Sequence, residues 1–165
     1  DRRSSSAQLD DKAIEIKAAA RVRELLGDRA HVSISSYNRL VLLTGEVFND
    51  ADRGLVEQSI TKVEGVKSVV NELAVQWPSS TGDRASDLVL SSKVMATFVD
   101  AKSVPAGAFK VIVERKIVYL MGRVTEAEAA RAADLTRTIS GVQKVVRVVE
   151  VVSQAELDND DSKKR

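Results

Sequence analysis

The chain repeats itself. Gly65-Val66-Lys67-Ser68-Val69-Val70 returns as Gly141-Val142-Gln143-Lys144-Val145-Val146, at an offset of 76. Upstream, Val41, Leu43, Gly45 and Val47 return at an offset of 77 as Val118, Leu120, Gly122 and Val124, and Lys17 returns at 76 as Lys93. One residue gained before the glycine and lost after it places the length changes in loops. Solenoid repeats have periods of roughly 20–50 residues, so this longer period describes two copies of a compact domain. The 165 residues then divide into residues 10–76 and 84–152. Between them, 77–83 reads as a linker (Trp77-Pro78-Ser79-Ser80-Thr81-Gly82-Asp83). Residues 1–9 and 153–165 are polar and are expected to be flexible ends.

Each copy carries the same run of elements. Ile14, Ala18, Val22 and Leu25 fall at helical spacing, with Asp10 or Asp11 as the cap and Gly27 after the end. Residues 31–36 alternate and 40–47 are rich in branched apolar side chains, which predicts a hairpin turning at Tyr37-Asn38-Arg39. A second helix opens at Asn49, Asp50 or Asp52, carries Val56, Ile60 and Val63, and is expected to be capped by Gly65. Residues 66–75 form a third strand. In the second copy Leu90, Val94 and Phe98 mark the first helix, Phe109, Val111 and Val113 the first strand, and 117–124 the second. A helix over 126–140 and a strand over 142–152 complete it. The fold class is α+β, each unit a three-stranded mixed sheet covered by two helices. Gly45 and Gly122 inside strands imply close backbone approach.

What the chain lacks narrows its chemistry. It has no cysteine, hence no disulfide, thiolate metal site or cysteine nucleophile. His31 is the only histidine, which excludes multi-histidine metal sites and reads as a surface or half-buried side chain. No nucleophile elbow, P-loop or dinucleotide fingerprint is present. Asp158, Asp160 and Asp161 lack the glycine and distal glutamate of a calcium loop. Aromatic residues make up 4%, too few for stacking on nucleic acid. No apolar run approaches the ~18 residues of a membrane span. No enzyme, cofactor, metal or nucleic-acid partner is expected.

The order helix-strand-strand-helix-strand, the valine-rich strand around Gly45 or Gly122, and the Gly-Val-x-x-Val-Val at 65–70 and 141–146 together resemble the BON domain. Two copies cover nearly the whole chain. Asp1-Arg2-Arg3-Ser4 followed by Asp10-Asp11 resembles the outer-membrane lipoproteins that carry two such domains, as does Leu120-Met121-Gly122-Arg123-Val124-Thr125-Glu126. The resemblance implies a periplasmic protein on the inner leaflet of the outer membrane, held by a lipidated cysteine upstream of Asp1. It further implies binding of anionic phospholipid through the second domain and support of outer-membrane integrity.

Charge and helix faces bear on the same reading. Residues 10–77 carry 9 Lys and Arg against 11 Asp and Glu, net −2; residues 84–152 carry 11 against 7, net +4. A basic domain is drawn to anionic headgroups within a Debye length of roughly 10 Å. In the first helix of copy two, Leu88, Met95 and Val99 lie off the core stripe; their counterparts in copy one are Lys12, Ala19 and Arg23. A second apolar face must be covered by the other domain, a partner or lipid. The lipid-contact residues expected are therefore Leu88, Val89, Ser92, Met95 and Val99, with Arg84 and Lys93 for headgroups. The resembling family carries a tryptophan near the start of this helix, where this chain has Val89. Trp77 is expected to pin the domain junction. The reading is a non-enzymatic, monomeric phospholipid-binding protein of the envelope. The alternative is a periplasmic protein-interaction or chaperone-like adaptor using other envelope proteins as partners.

Overall fold

The computed structural model describes residues 1–164. In the first copy α1 spans Ser5–Leu26, β1 His31–Tyr37, β2 Leu40–Val47, α2 Asp50–Thr61, β3 Ser68–Asn71 and β4 Ala74–Val75. In the second, α3 spans Thr81–Ala101, β5 Phe109–Glu114, β6 Ile117–Val124, α4 Glu126–Arg137 and β7 Lys144–Val151, followed by α5, Gln154–Lys164. β1 is antiparallel to β2, whereas β3 and β4 run parallel to it. β5 and β7 flank β6 in the same senses. Both sheets are mixed, as the α+β expectation has it. In the first sheet the third strand is broken at Glu72 and Leu73. Arg53 holds the break, donating to the carbonyls of Asn71 and Leu73 at 2.8 and 3.0 Å.

Each central strand turns alternate residues toward its helices. Val41, Leu43 and Val47 of β2 pack with Ile14, Ala18, Val22 and Leu26 of α1 and with Val56 and Ile60 of α2. Val118, Leu120 and Val124 of β6 pack with Leu90, Val94 and Phe98 of α3 and with Ala129, Ala132 and Ala133 of α4. Leu26, rather than Leu25, is the last fully buried residue of α1. The two glycines are required where these layers meet the hairpin. A Cβ on Gly45 would lie 2.0 Å from the His31 carbonyl oxygen, and one on Gly122 would lie 2.4 Å from that of Ala108.

Several local expectations are corrected. Ser4 caps α1, accepting the Ala7 N–H at 3.0 Å, so Asp10 and Asp11 lie inside the helix. Asn49, the first of the three openings expected, does cap α2, through the Asp52 N–H at 2.7 Å. α2 and α4 stop at Thr61 and Arg137, and Gly65 and Gly141 take their positive φ (93° and 99°) in the turns beyond.

Within the segments expected to be flexible, 1–9 and 153–165, the described residues are largely helical, Arg165 lying outside the described residues. α1 already begins at Ser5, and α5 is helical, with Leu157 buried at 5% exposure. Ser153 caps α5 by accepting the Glu156 N–H at 3.1 Å. Arg123 grips α5 from β6 through Asp160 at 2.8 Å. A lone polar tail has no reason to order; one apolar anchor and an ion pair supply it. α3 likewise begins at Thr81, inside the linker expected over 77–83. Residues 3–80 form one compact unit; residues 81 onward form the other, together with Asp1 and Arg2. Arg2 clasps Glu128 with two hydrogen bonds of 2.8 Å and donates to the Arg123 carbonyl at 2.9 Å.

Candidate functional site

α3 is placed by a carboxylate. The β5–β6 turn has Arg115 and Lys116 at φ 50° and 63°. Two left-handed residues in succession make the tight hairpin turn compatible with strand twist, and their N–H groups point out of the ladder. Asp87 of α3 accepts both, at 2.9 and 3.1 Å. Asp11 of α1 does the same for Asn38 and Arg39, at 2.8 and 2.9 Å. Asp11 also accepts from the Ser36 hydroxyl and from Arg3. Burial alone would raise the Asp11 carboxyl, but the Arg39 N–H, Ser36, Arg3 and the Asn38 N–H together hold it below its ordinary value.

With α3 so fixed, its inner stripe is Leu90, Val94 and Phe98, all buried, as expected. Phe98 packs on Phe109 with ring centroids 5.7 Å apart. The outer surface carries Leu88, Val89 and Val99, exposed at 71%, 69% and 61%. Ser92 and Lys93 are exposed among them, and Arg84 is exposed one turn before Leu88. The Ser92 hydroxyl donates to the Leu88 carbonyl of its own helix at 3.2 Å, so it presents little unsatisfied polarity to an apolar neighbour. Lys93 Nζ donates to the Ser140 carbonyl at 3.3 Å, which bends this cation toward the end of α4.

Met95 departs from the expected outer face. It is half-buried and packs against the core cluster. At about 100° per residue it stands roughly 60° round the helix from Phe98, and an unbranched thioether of this length reaches back into the gap. The outer apolar surface is therefore Leu88, Val89 and Val99.

Trp77 is 79% exposed and meets Phe48 edge-on, with ring centroids 5.2 Å apart. His31 is half-buried, with Nδ1 3.2 Å from the Glu46 carboxylate, which also accepts the Ser79 N–H. Burial would raise the Glu46 carboxyl; the Ser79 N–H and His31 outweigh it and leave it lowered.

Arg115 and Lys116 were not among the residues expected at this site, yet Asp87 brings them beside the first half of α3. The available signal was the repeat itself: Asp11 recurs as Asp87 at an offset of 76. A helix acid followed 27 to 29 residues later by a hairpin turn is legible once two copies are compared.

Among the described residues no helix is long and apolar enough to cross a membrane. A model of the BON domain matches residues 11–76 and 86–153. The outer membrane lipoprotein DolP of Haemophilus influenzae is 38% identical over 151 residues, covering 90% of this chain and 78% of that protein. The 21 kDa hemolysin of Actinobacillus pleuropneumoniae is 28% identical over 154 residues, covering 92% and 79%. The osmotically-inducible protein Y of Escherichia coli is 28% identical over 145 residues, covering 83% and 70%.

Proposed function

The chain belongs to the BON-domain family, as a tandem member of the DolP type, and from there we propose that it is a non-enzymatic envelope protein whose second domain docks on anionic phospholipid. The observation that carries this reading is α3: three large apolar side chains exposed on the outer surface of a domain with net charge +4. Charged headgroups attract such a domain from within a Debye length. Leu88, Val89 and Val99 then enter the boundary between headgroups and acyl chains, each leaving water for an apolar phase. Arg84 and Lys93 stay at headgroup level, their stems along the apolar surface. Docking of this kind is weak by itself. It complements a lipid anchor, since one acyl chain alone gives marginal, reversible binding. We place the protein at the inner face of the outer membrane, anchored through a lipidated cysteine preceding Asp1, where it supports outer-membrane integrity.

The test is cosedimentation of the whole chain with vesicles of phosphatidylglycerol in phosphatidylcholine, and of phosphatidylcholine alone, across a salt series. Binding to the anionic vesicles that weakens steeply with salt is expected, with Leu88→Ser and Val89→Ser reducing it. Equal binding to both vesicle types, or none, overturns the reading and favours an adaptor that meets polypeptide with the same face.

A further inference from the structure

The two sheets end differently along their third strands. In both, even-numbered residues of that strand donate to the central one: Glu72 and Gln76 to the Leu43 and Val47 carbonyls at 2.9 Å, and Val152 to that of Val124 at 2.8 Å. The odd-numbered residues between them therefore turn N–H and C=O away from the sheet. In the first domain this outer edge is closed. Arg53 occupies the outward carbonyls of Asn71 and Leu73, and the Asn71 side chain accepts the Leu73 N–H at 3.1 Å. β3 and β4 are also short, four and two residues. An edge so broken and plugged offers no ladder to a further strand.

The second domain leaves the same edge open. β7 runs eight residues without a break and pairs with β6 alone. The place of Arg53, four residues after the helix cap Asn49, is held by Ala129, four residues after Thr125. A methyl group does not reach the strand carbonyls. Val145, Arg147, Val149 and Val151 turn their backbone groups outward. Among the described residues no side chain bonds to the backbone of β7. An unpaired edge of this length is a template that another strand completes.

The side chains of β7 select the strand. Lys144, Val146, Val148 and Glu150 share one face and read cation, valine, valine, anion, with both charges exposed. Turned antiparallel about a two-fold axis at Arg147, this row meets its own complement: Lys144 stands opposite Glu150 and Val146 opposite Val148. The backbone permits this register, since outward residues meet outward residues, Val145 opposite Val149 and Arg147 opposite itself. Each Arg147 brings its own counterion, Glu126 at 2.7 Å. The matching row of the first domain, Ser68, Val70, Glu72 and Ala74, has no such complement. In place of the monomer expected from the sequence, we propose that two copies of this chain pair edge to edge through β7, joining two three-stranded sheets into one of six strands. Such a contact is isologous, the same patch serving both copies. It is smaller than the roughly 1,600 Å² of a standard interface, so the dimer is weak and its population depends on concentration. The inference is independent of the membrane reading above.

The experiment is sedimentation of the whole chain, without lipid, over a wide concentration series. The average mass is expected to rise from that of one copy toward that of two. Arg147→Pro removes the central outward N–H, which bonds to nothing within the domain, and proline is tolerated at such edge positions. This variant is expected to stay folded and to lose association. Lys144→Glu sets an acid opposite Glu150 of the second copy, and Glu150→Lys sets a lysine opposite its Lys144. Each variant alone is expected to associate about tenfold more weakly, because two cross-strand pairs change sign at once. Mixed in equal amounts, the two variants face each other with opposite charges at both pairs. The mixture is expected to regain the association of the unaltered chain.

A single copy at every concentration overturns the proposal and leaves the open edge to an extended segment of another protein. Association undiminished by Arg147→Pro places the contact on another surface and overturns it as well. A mixture no stronger than its two components removes the register and, with it, the self-pairing. Should Arg147→Pro melt early, the mixture decides alone. Glu150→Lys gives up the bond from Arg123, which keeps Asp160. Two chains weakened only in their folding would not repair one another on mixing, so regained association reports the paired charges.

Discussion

Asp87 and Lys116 stand 29 residues apart, and the carboxylate of the first accepts the backbone N–H of the second at 3.1 Å. The same bond joins Asp11 to Arg39 at 2.9 Å. In both domains one helix acid holds one hairpin turn, and so fixes which face the opening helix turns outward. Asp87→Ala should leave two turn amides without their acceptor and lower the stability of the second domain by about 1–3 kcal/mol. Asp11→Ala should lower that of the first by more, since Ser36 and Arg3 also lose one of their acceptors. Chemical denaturation of the full chain, followed by residue-resolved amide exchange, assigns each loss to its domain.

Alanine at the strand glycines tests the close approach of the hairpin. Gly122→Ala should destabilise by about 1–3 kcal/mol, the usual range for overpacking. Gly45→Ala should destabilise more, because its contact is shorter, 2.0 against 2.4 Å, and its φ of 111° disfavours any side chain. Equal melting temperatures for the two variants would contradict this ordering.

Glu128 makes a pH-dependent clasp. Hydrogen bonding from Arg2, offset in part by burial, holds its carboxyl at about 2 against an ordinary 4.5. A carboxyl lowered on folding contributes its stability above the unfolded value and loses it as pH falls through the folded one. The second domain should therefore lose stability between about pH 4.5 and 2. Arg2→Ala should flatten that slope. Melting curves at intervals across this window, for both chains, are the measurement.

The inner and outer stripes of α3 should separate cleanly. Phe98→Ala should destabilise by roughly 3–5 kcal/mol, as buried aromatics do. Leu88→Ser and Val99→Ser should leave melting within about 0.5 kcal/mol of the original. Met95→Ser should fall between, since this side chain packs on the core. A melting loss at Leu88 as large as at Phe98 would show that the outer stripe is a structural joint.

The end of the chain should behave as part of the fold. Leu157→Ala should destabilise the second domain by about 2 kcal/mol, the low end for a buried leucine. A terminal helix that frayed freely would leave melting unchanged.

The duplication, the order of elements and the core stripes were determined by the sequence alone. Their signals are local or repeated: period 3.6 in Leu90, Val94 and Phe98, branched side chains over 40–47, and turns punctuated by glycine. The apolar exposure at Leu88, Val89 and Val99 was legible for the same reason, because a helix face follows from spacing. What spacing does not carry is where a side chain ends. Met95 and Leu88 are alike in pattern, and only packing turns one toward the core and leaves the other in water. Asp11 reads as a helix cap in sequence, but the backbone partners of Asp11 and Asp87 lie 27 to 29 residues away, and a carboxylate's choice among distant donors is made by the folded backbone. The ordering of α5 likewise depends on Arg123 and on an apolar pocket for Leu157, neither of which a polar tail announces.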